Sequence, residues 1–197
     1  MAISAAQVKD LREKTGLGIM DCKQALNETG GDMDKAIELL RKKGLADAEK
    51  RSGRATGDGR VGAYIHPPGR VGVLVELNCE TDFVAKGDDF QELLKELCLH
   101  VAASRPAVVS RDQIPPEILD SEREIYRAQV QDKPEQIREK IVESKVEAFC
   151  KEAALLEQPY VRDPKTTVED LVKAVVAKVG ENISVRRFAR FALGEEV

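Results

Sequence analysis

The sequence predicts an α+β protein: a small N-terminal three-helix bundle, followed by a core in which helices cover a three-stranded antiparallel sheet. Two observations lead to this fold class. Apolar residues recur at helical spacing in three short runs within residues 1–44, and they alternate with other residues in three later segments. In addition, two charged segments with thin apolar stripes, at about residues 115–156, predict a projecting antiparallel helical hairpin.

The bundle is predicted from helix signals near the N-terminus. Ser4 and Gln7 have the spacing of a capping box, and the glycines of "TGLG" at 15–18 interrupt the first helix. Asp32 is placed to start the third helix, and Gly44 is placed to end it. Each helix has about ten residues, which is too short for stability alone in water, so we expect the three to pack together.

Residues 45–59 are predicted to form a basic, partly helical linker. The stretch 41–60 contains seven Lys and Arg against three Asp and Glu, a local charge of +4, and it has little apolar content after Leu45. Such a stretch is usually a solvated tether, although a basic run can also bind nucleic acid.

Residues 60–197 form the predicted core, and its sheet is assigned to 61–66, 71–78 and 183–192. "PPGR" at 67–70 has the composition of a turn, so the first two segments are expected to form a hairpin with one apolar face. Because a lone hairpin is marginally stable, the third segment is expected to complete the sheet. The apolar residues in phase are Val61, Ala63, Ile65, Val71, Val73, Val75, Leu77, Ile183, Val185, Ala189 and Phe191.

Helices are predicted to occupy the rest of the core. One begins at Asp88 and has an apolar stripe at i, i+3, i+4 and i+7 spacing, which suits a helix that covers the sheet. Prolines at 115–116 and at 134 lie at the starts of the two hairpin helices, where proline is tolerated. A last helix is predicted from Thr167 to Gly180.

Composition narrows the possible functions. The 197 residues have a net charge of −4, whereas a domain that binds phosphate backbones is usually basic. Four scattered cysteines and two histidines offer no zinc-ligand spacing, so we expect reduced, buried thiols and neither metal nor cofactor. The N-terminal residues carry no apolar h-region of the kind found in secretory leaders, and no apolar run approaches 18 residues, so we expect a soluble, cytoplasmic protein without a membrane span.

Motifs for enzymatic chemistry are weak. "GDGRVG" at 57–62 spells a dinucleotide-binding fingerprint, but that site needs a strand before it and a helix after it. Here a basic linker precedes the motif and a strand follows. His66 and His100 have no Ser or Cys at triad-like spacing, and a packed or solvent-facing role suits them better. The sequence therefore predicts that the protein is not an enzyme.

The segment "ETDFVAK" at 80–86 is different. It joins a predicted strand to the helix at Asp88, so regular structure holds both of its ends. Turns prefer Gly, Asn, Asp, Ser or Pro, yet this connection places Phe83 beside Asp82. The ring either plugs the protein's own core or is displayed for another protein's pocket, because aromatic anchors on rigid supports dominate interface energies.

At these residues the sequence resembles the elongation factor Ts family of nucleotide-exchange factors in translation. Agreement among several separate blocks, in the expected order along nearly the whole chain, makes the resemblance specific. The blocks are "LREKTGLGIMDCKQAL" at 11–26, "GDMDKAIELLRKKG" at 31–44, "TDFVA" at 81–85, "HVAASRP" at 100–106 and "GENISVRRF" at 180–188.

The resemblance implies a ubiquitin-associated-like N-terminal bundle and a GTPase partner, elongation factor Tu. It further implies that one segment intrudes near the partner's nucleotide, dislodges its Mg²⁺ and promotes GDP release, while the bundle grips the partner's nucleotide domain. The residues that match are Thr81, Asp82, Phe83 and Val84 for the intruding segment, and Arg12, Ile19 and Met20 for the bundle.

The chain departs from longer members of that family, which have a duplicated core module where this sequence has one. Resemblance to the short members implies a homodimer, and hence a 2:2 complex with the partner. Two other functions stay open from the sequence: a nucleic-acid-binding adaptor that uses the basic linker, and a chaperone-like interaction scaffold. Neither explains an aromatic ring beside a carboxylate in a short, rigidly held connection.

Overall fold

The computed structural model describes residues 3–195 and confirms the α+β class. The chain divides into two compact units. The first contains the residues up to Arg60, together with Leu77–Leu93 and Asp170–Ser184. The second contains Val61–Glu76, Leu94–Glu169 and the residues from Val185 onward.

The described residues include eight α-helices, five strands and two short 3₁₀ helices (Arg111–Gln113 and Leu155–Glu157). The helices are α1 (Ala5–Thr15), α2 (Ile19–Glu28), α3 (Met33–Arg51), α4 (Asp82–Lys86), α5 (Asp88–Ser104), α6 (Pro116–Gln129), α7 (Glu135–Ala153) and α8 (Val168–Val179). The strands are β1 (Asp58–His66), β2 (Val71–Cys79), β3 (Pro159–Tyr160), β4 (Asp163–Thr167) and β5 (Ile183–Ala192). Within the same residues, no helix is both long enough and apolar enough to cross a membrane.

The N-terminal helices form as predicted. Ser4 and Gln7 make the capping box that starts α1, and Gly16 ends that helix with a left-handed backbone, φ +70°. Asp32 caps α3 by accepting a hydrogen bond from the Lys35 N–H. The three helices share one apolar cluster, made of Val8, Leu11, Cys22, Ala25, Leu26, Ala36 and Leu40.

The predicted end of α3 at Gly44 is wrong, because the helix continues to Arg51. A Cβ added at Gly44 would lie only 3.0 Å from the Cβ of Ala177 in α8. Glycine at this position therefore permits close approach of two helices and does not end one. As a consequence, the first half of the predicted basic linker is helical, and residues 52–57 alone connect α3 to β1.

The sheet has the predicted strands in the order β1-β2-β5. One of its faces is covered, since Val73 and Val75 of β2 are buried. Helix α5 contributes to this cover, because a Cβ at Gly62 would lie 2.6 Å from Cγ of Leu94. The expectation that α5 packs on the sheet is thus confirmed.

The expectation of a single apolar hairpin face is wrong. Val61 and Ile65 of β1 are 66% and 64% exposed, on the face opposite buried Val73. They share their face with Leu74, and a Cβ at Gly72 would contact the Ile65 side chain. Alternation in the sequence predicts which side of a single strand is apolar. Whether the apolar sides of β1 and β2 lie on the same face of the sheet depends on the pairing register of the two strands.

The predicted helical hairpin is present as α6 and α7, with α7 ending at Ala153. Its thin apolar stripe divides in two: Leu119, Tyr126 and Ile141 pack against the hairpin's cluster, whereas other isoleucines stay exposed. The buried members of the cluster are Ile114, Val130, Val142, Val146 and Cys150, and the exposed isoleucines are Ile118, Ile125 and Ile137.

A two-stranded ribbon, β3 and β4, was not predicted from the sequence. Near it, His100 of α5 is fully buried, with Nε2 2.8 Å from Oε1 of Gln158. The Val161 N–H donates to Nδ1 of His100, so the ring proton lies on Nε2. A packed role for His100 is confirmed, and so is the expectation for the thiols, since all four cysteines are free and buried.

Candidate functional site

The Phe83 turn, defined here as residues 81–86, connects β2 to α5. Thr81 has an extended backbone and caps α4, because its hydroxyl accepts a hydrogen bond from the Val84 N–H at 3.5 Å. The predicted connection is therefore a single helical turn that is fixed at its first residue. Gly87 follows, and its N–H donates to the Val84 carbonyl at 2.9 Å.

The side chains of this turn divide sharply by exposure. The Phe83 ring is 83% exposed, whereas Val84 and Ala85 are 8% and 2% exposed. Phe90, seven residues later, is fully buried, so the two phenylalanines of this stretch differ completely in exposure. The interpretation of Phe83 as a core plug is therefore wrong. Val84 faces inward, so its side chain supports the turn from below while the ring projects.

Hydrogen bonds hold the turn at both ends. At the C-terminal end, the Ala85 carbonyl accepts from Nε of Arg60 at 2.9 Å and from Nε2 of Gln91 at 2.5 Å. At the N-terminal end, the carboxylate of Glu181 accepts from the Thr81 N–H at 3.0 Å and from the Thr81 hydroxyl at 2.8 Å. The backbone beneath the exposed ring is thus fixed on both sides.

The charge at the turn is locally balanced. Nζ of Lys86 lies 2.5 Å from the Asp82 carboxylate, one helical turn away. The hydrogen bond from Lys86 lowers the pKa of Asp82 below its ordinary value, so this carboxylate is ionised at neutral pH. The i, i+4 spacing of Asp82 and Lys86 is readable in the sequence, but the pair was missed there.

Beneath the turn, Cys79 ends β2. Its thiol donates to the Thr81 carbonyl at 3.1 Å. Burial raises the pKa of Cys79, with the charges of Glu181 and Asp58 acting in the same direction. The group therefore remains a thiol that supports the backbone, and it is not a nucleophile.

The bundle patch, defined as Arg12, Ile19 and Met20, lies in the same compact unit as the Phe83 turn. Ile19 and Met20 are 52% and 74% exposed at the start of α2. Arg12 of α1 and Ile19 line one groove with Ile3, Ala5, Val8, Lys9 and Lys23. The patch therefore combines exposed apolar side chains with part of a groove that has three basic residues in its lining.

The residues predicted as partner-binding thus fall into two groups, the turn and the patch. Sequence reasoning missed Glu181, which is 100 residues from Thr81 along the chain. No local pattern links two such distant positions. The only signal was that Glu181 lies in the block "GENISVRRF".

Other candidate sites gain no support. Among the described residues, no group of three or more His, Cys, Asp or Glu is arranged to hold a metal ion. The glycine-rich motif at 57–62 lies at the start of β1 and is followed by more of that strand, not by a helix. In the basic stretch, Lys42, Lys43, Lys50 and Arg54 pair with Glu38, Asp21, Asp47 and Glu80, so its charge is largely balanced.

An exposed aromatic ring on a rigid support, together with an exposed apolar groove, is typical of proteins that work by contacting another protein. Comparison with known proteins makes this class specific. The family model for Elongation factor TS matches residues 47–195. Elongation factor Ts from Thermoanaerobacter sp. (strain X514) is 54% identical over 197 residues, covering 99% of this chain and 97% of the relative.

Two further relatives agree. Elongation factor Ts from Prochlorococcus marinus (strain MIT 9301) is 58% identical over 199 residues, covering 99% of this chain and 91% of the relative. The Thermotoga neapolitana protein of the same name is 54% identical over 196 residues, with both chains covered completely. The chain belongs to the elongation factor Ts family.

Proposed function

We propose that this protein is a guanine-nucleotide exchange factor in translation elongation, which binds elongation factor Tu with GDP and promotes release of the GDP. The observation that carries the proposal is the Phe83 ring, which is 83% exposed on a backbone fixed at both ends. Family membership supports both the exchange role and the choice of partner. The setting of this reaction is the cytoplasm.

The proposed mechanism needs no covalent chemistry from this chain. In a GTPase, Mg²⁺ bridges protein and nucleotide and neutralises phosphate charge. A ring wedged against the elements that hold these groups would weaken GDP binding. Full burial of a phenylalanine side chain yields about 1.5–3 kcal/mol, which is enough to offset part of that cost. The Asp82 carboxylate adds a negative charge next to the phosphates and the metal.

The bundle patch has a different role in this proposal. Arg12, Ile19 and Met20 hold the partner's nucleotide domain and so provide affinity that does not depend on the nucleotide. Because coupling between two ligands is reciprocal, GDP weakens the binding of the factor as much as the factor weakens GDP. The complex is therefore transient, and incoming GTP completes the cycle by releasing the factor.

We also propose that the protein is a homodimer that forms a 2:2 complex with elongation factor Tu. The support is the open sheet face, where Val61, Ile65, Leu74 and Phe191 are 48–69% exposed. A second copy suits this face, because a two-fold axis places the same apolar surface on itself, as in a sheet sandwich. Light scattering should give twice the chain mass of 21.7 kDa, and Phe191→Asp should give the monomer. A wild-type monomer would contradict the dimer.

The exchange function is tested by the release of fluorescent GDP from elongation factor Tu, followed by stopped flow with excess unlabelled nucleotide. The protein should accelerate release in a saturable manner. In this assay the saturated release rate measures the effect of the Phe83 turn on GDP, and the half-saturating concentration measures how tightly the bundle patch binds the partner. Release that is independent of the protein would overturn the proposed function.

A further inference from the structure

We propose that Glu181 is the positioning residue of the Phe83 turn: its carboxylate fixes Thr81 and thereby the direction in which the ring points. The inference rests on the proposed exchange function and gives Glu181 a role through Thr81, one of the residues assigned to the intruding segment. It follows from how an exposed ring can be held in place. At 83% exposure, Phe83 has little packing of its own, so the backbone of residues 81–86 sets its position.

That backbone has two supports. Arg60 and Gln91 hold the Ala85 carbonyl, after the ring, and Glu181 holds Thr81, before it. Buried Val84 adds packing within the turn itself. Without Glu181, the Ala85 carbonyl would keep its hydrogen bonds from Arg60 and Gln91. Thr81, which precedes the ring, would lose both of its hydrogen bonds to the Glu181 carboxylate. Phe83 lies two residues after Thr81, so the ring would then be held by the end whose backbone is less constrained.

Glu181 also sets the polarity of the helix cap. A hydroxyl has one proton, and the Thr81 hydroxyl gives it to Glu181 at 2.8 Å while accepting from the Val84 N–H. The same carboxylate takes the Thr81 N–H at 3.0 Å, and the Cys79 thiol donates to the Thr81 carbonyl. Every polar group of Thr81 therefore has a hydrogen-bond partner. The two strongest of these hydrogen bonds are the ones that Thr81 donates to the Glu181 carboxylate, because that acceptor is charged.

Glu181 is itself held on a rigid base. The preceding Gly180 ends α8 with φ +79°, and its N–H donates to the Val176 carbonyl at 2.9 Å. The following Asn182 is buried, and its amide donates to the carbonyls of Ser52 and Arg54 at 3.2 and 2.7 Å. The Asn182 N–H donates to Glu80 at 2.6 Å. These bonds fix the backbone on both sides of Glu181, so its carboxylate can act as a fixed point for the turn.

The test compares Glu181→Ala and Glu181→Gln with wild type in the GDP-release assay. Glu181→Ala should lower the saturated release rate about tenfold, because misplacement of a working group near 1 Å is costly, and should change the half-saturating concentration by less than about twofold. The saturated release rate of Glu181→Gln should lie between those of Glu181→Ala and wild type, since the amide oxygen of Gln still accepts one of the two hydrogen bonds. Glu38→Gln, which removes an exposed carboxylate from the same unit, is the matched charge control and should behave as wild type.

A double-mutant cycle with Thr81→Val tests whether Glu181 acts through Thr81. Valine removes the hydroxyl and keeps the shape, so Glu181→Ala should cost at least threefold less in the saturated rate in that background than in wild type. In Glu181→Ala, the amide hydrogens of Thr81 and Val84 should exchange faster, while the unfolding midpoint of the whole protein stays close to that of wild type. These two measurements separate a moved turn from an unfolded variant.

The inference would be overturned by an unchanged saturated rate in Glu181→Ala, by an equal loss in Glu38→Gln, or by additive effects in the cycle. A change confined to the half-saturating concentration would do so too, since it would make Glu181 a binding residue. If wild type itself does not accelerate GDP release, the proposed function fails instead. The role of Glu181 in holding the turn is then judged by amide exchange alone, and unchanged exchange at Val84 would refute it.

Discussion

The Phe83 turn and the bundle patch both expose apolar side chains, but they are built in opposite ways. The turn presents one ring on a five-residue helix, whose backbone is fixed because Thr81 donates to Glu181 and the Ala85 carbonyl accepts from Arg60 and Gln91. The patch presents Ile19 and Met20 at the start of α2, where Gly18 gives no side-chain cap. The helices that present the patch pack through the apolar cluster of the bundle.

This difference indicates a division of work. A ring fixed by directed hydrogen bonds can push on one defined place in a partner, and it loses that ability when its backbone shifts. A flexible Met beside an Ile can adapt to the surface it meets, which suits holding rather than pushing. We therefore expect the turn to determine how fast GDP leaves and the patch to determine how much protein is needed.

Replacement of the ring should have the largest effect. Phe83→Ala should reduce the saturated GDP-release rate by about 10- to 100-fold, the value of a fully buried ring in the complex. The unfolding free energy of the free protein should change by less than about 0.5 kcal/mol, because the ring is exposed before binding. Urea denaturation checks the second part. A strongly destabilised variant would show that the ring supports the fold and not the partner contact.

Truncation in the patch should have a different kinetic signature. Met20→Ala should raise the half-saturating concentration about three- to tenfold and leave the saturated release rate within about twofold, because it removes part of one exposed contact. A titration of elongation factor Tu·GDP with the variant measures both quantities. A lower saturated rate with an unchanged midpoint would erase the proposed distinction between the two regions.

A third test measures how stability depends on pH, through His100 in the compact unit that contains neither the Phe83 turn nor the bundle patch. Burial lowers the pKa of His100 below its ordinary value of 6.5, so below that pH the unfolded chain binds more protons than the folded protein. Stability should therefore fall from pH 7 to pH 5, with His100 contributing at most about 1.4 kcal/mol per pH unit.

The contribution of His100 is isolated by substitution. His100→Gln should have a flatter dependence of the unfolding free energy on pH than wild type, measured by urea denaturation at pH 7, 6 and 5. His66→Gln, the same substitution at an exposed position, is the control for the change itself, and its unfolding free energy at pH 7 should stay within about 0.5 kcal/mol of wild type. Equal slopes in wild type and His100→Gln would contradict a buried neutral imidazole in the fold.

The smallest effect is expected from the local ion pair of the turn. Lys86→Ala should raise the pKa of Asp82 toward its ordinary value of 3.8, because the main cause of its low pKa is the Lys86 hydrogen bond. Asp82 stays ionised at pH 7 in either case, and exposed pairs contribute little, so the saturated release rate should change by less than about twofold. Carboxyl titration by NMR measures the pKa. An unchanged value would show that Lys86 does not pair with Asp82 in solution.

The local features of the fold could be predicted from the sequence, because their causes are local. The Ser4 capping box, the N-cap at Asp32 and the start of α5 at Asp88 depend on residues a few positions apart. The exception was Gly44, whose meaning depends on Ala177, far along the chain. A glycine that ends a helix and one that admits a neighbouring helix have the same local appearance.

For the candidate site, too, local features could be predicted from the sequence and features that depend on distant residues could not. That Phe83 was unusual could be recognised from the composition of its segment, but whether the ring pointed inward or outward could not. The exposure of the ring and the hydrogen bond between Thr81 and distant Glu181 belong to the tertiary structure, and neither leaves a trace in local spacing. The open sheet face was missed for a similar reason, since the register between β1 and β2 is set by pairing and not by either strand alone.

The most direct measurement is the saturated rate of GDP release from elongation factor Tu, with wild type and with Phe83→Ala, at millimolar Mg²⁺ and again with the metal chelated. If the ring acts by disturbing the metal and phosphate site, wild type should be at least about tenfold faster than the variant with Mg²⁺ present. The advantage should shrink once chelation has already removed the metal. Equal rates for the two proteins at millimolar Mg²⁺ would contradict the account.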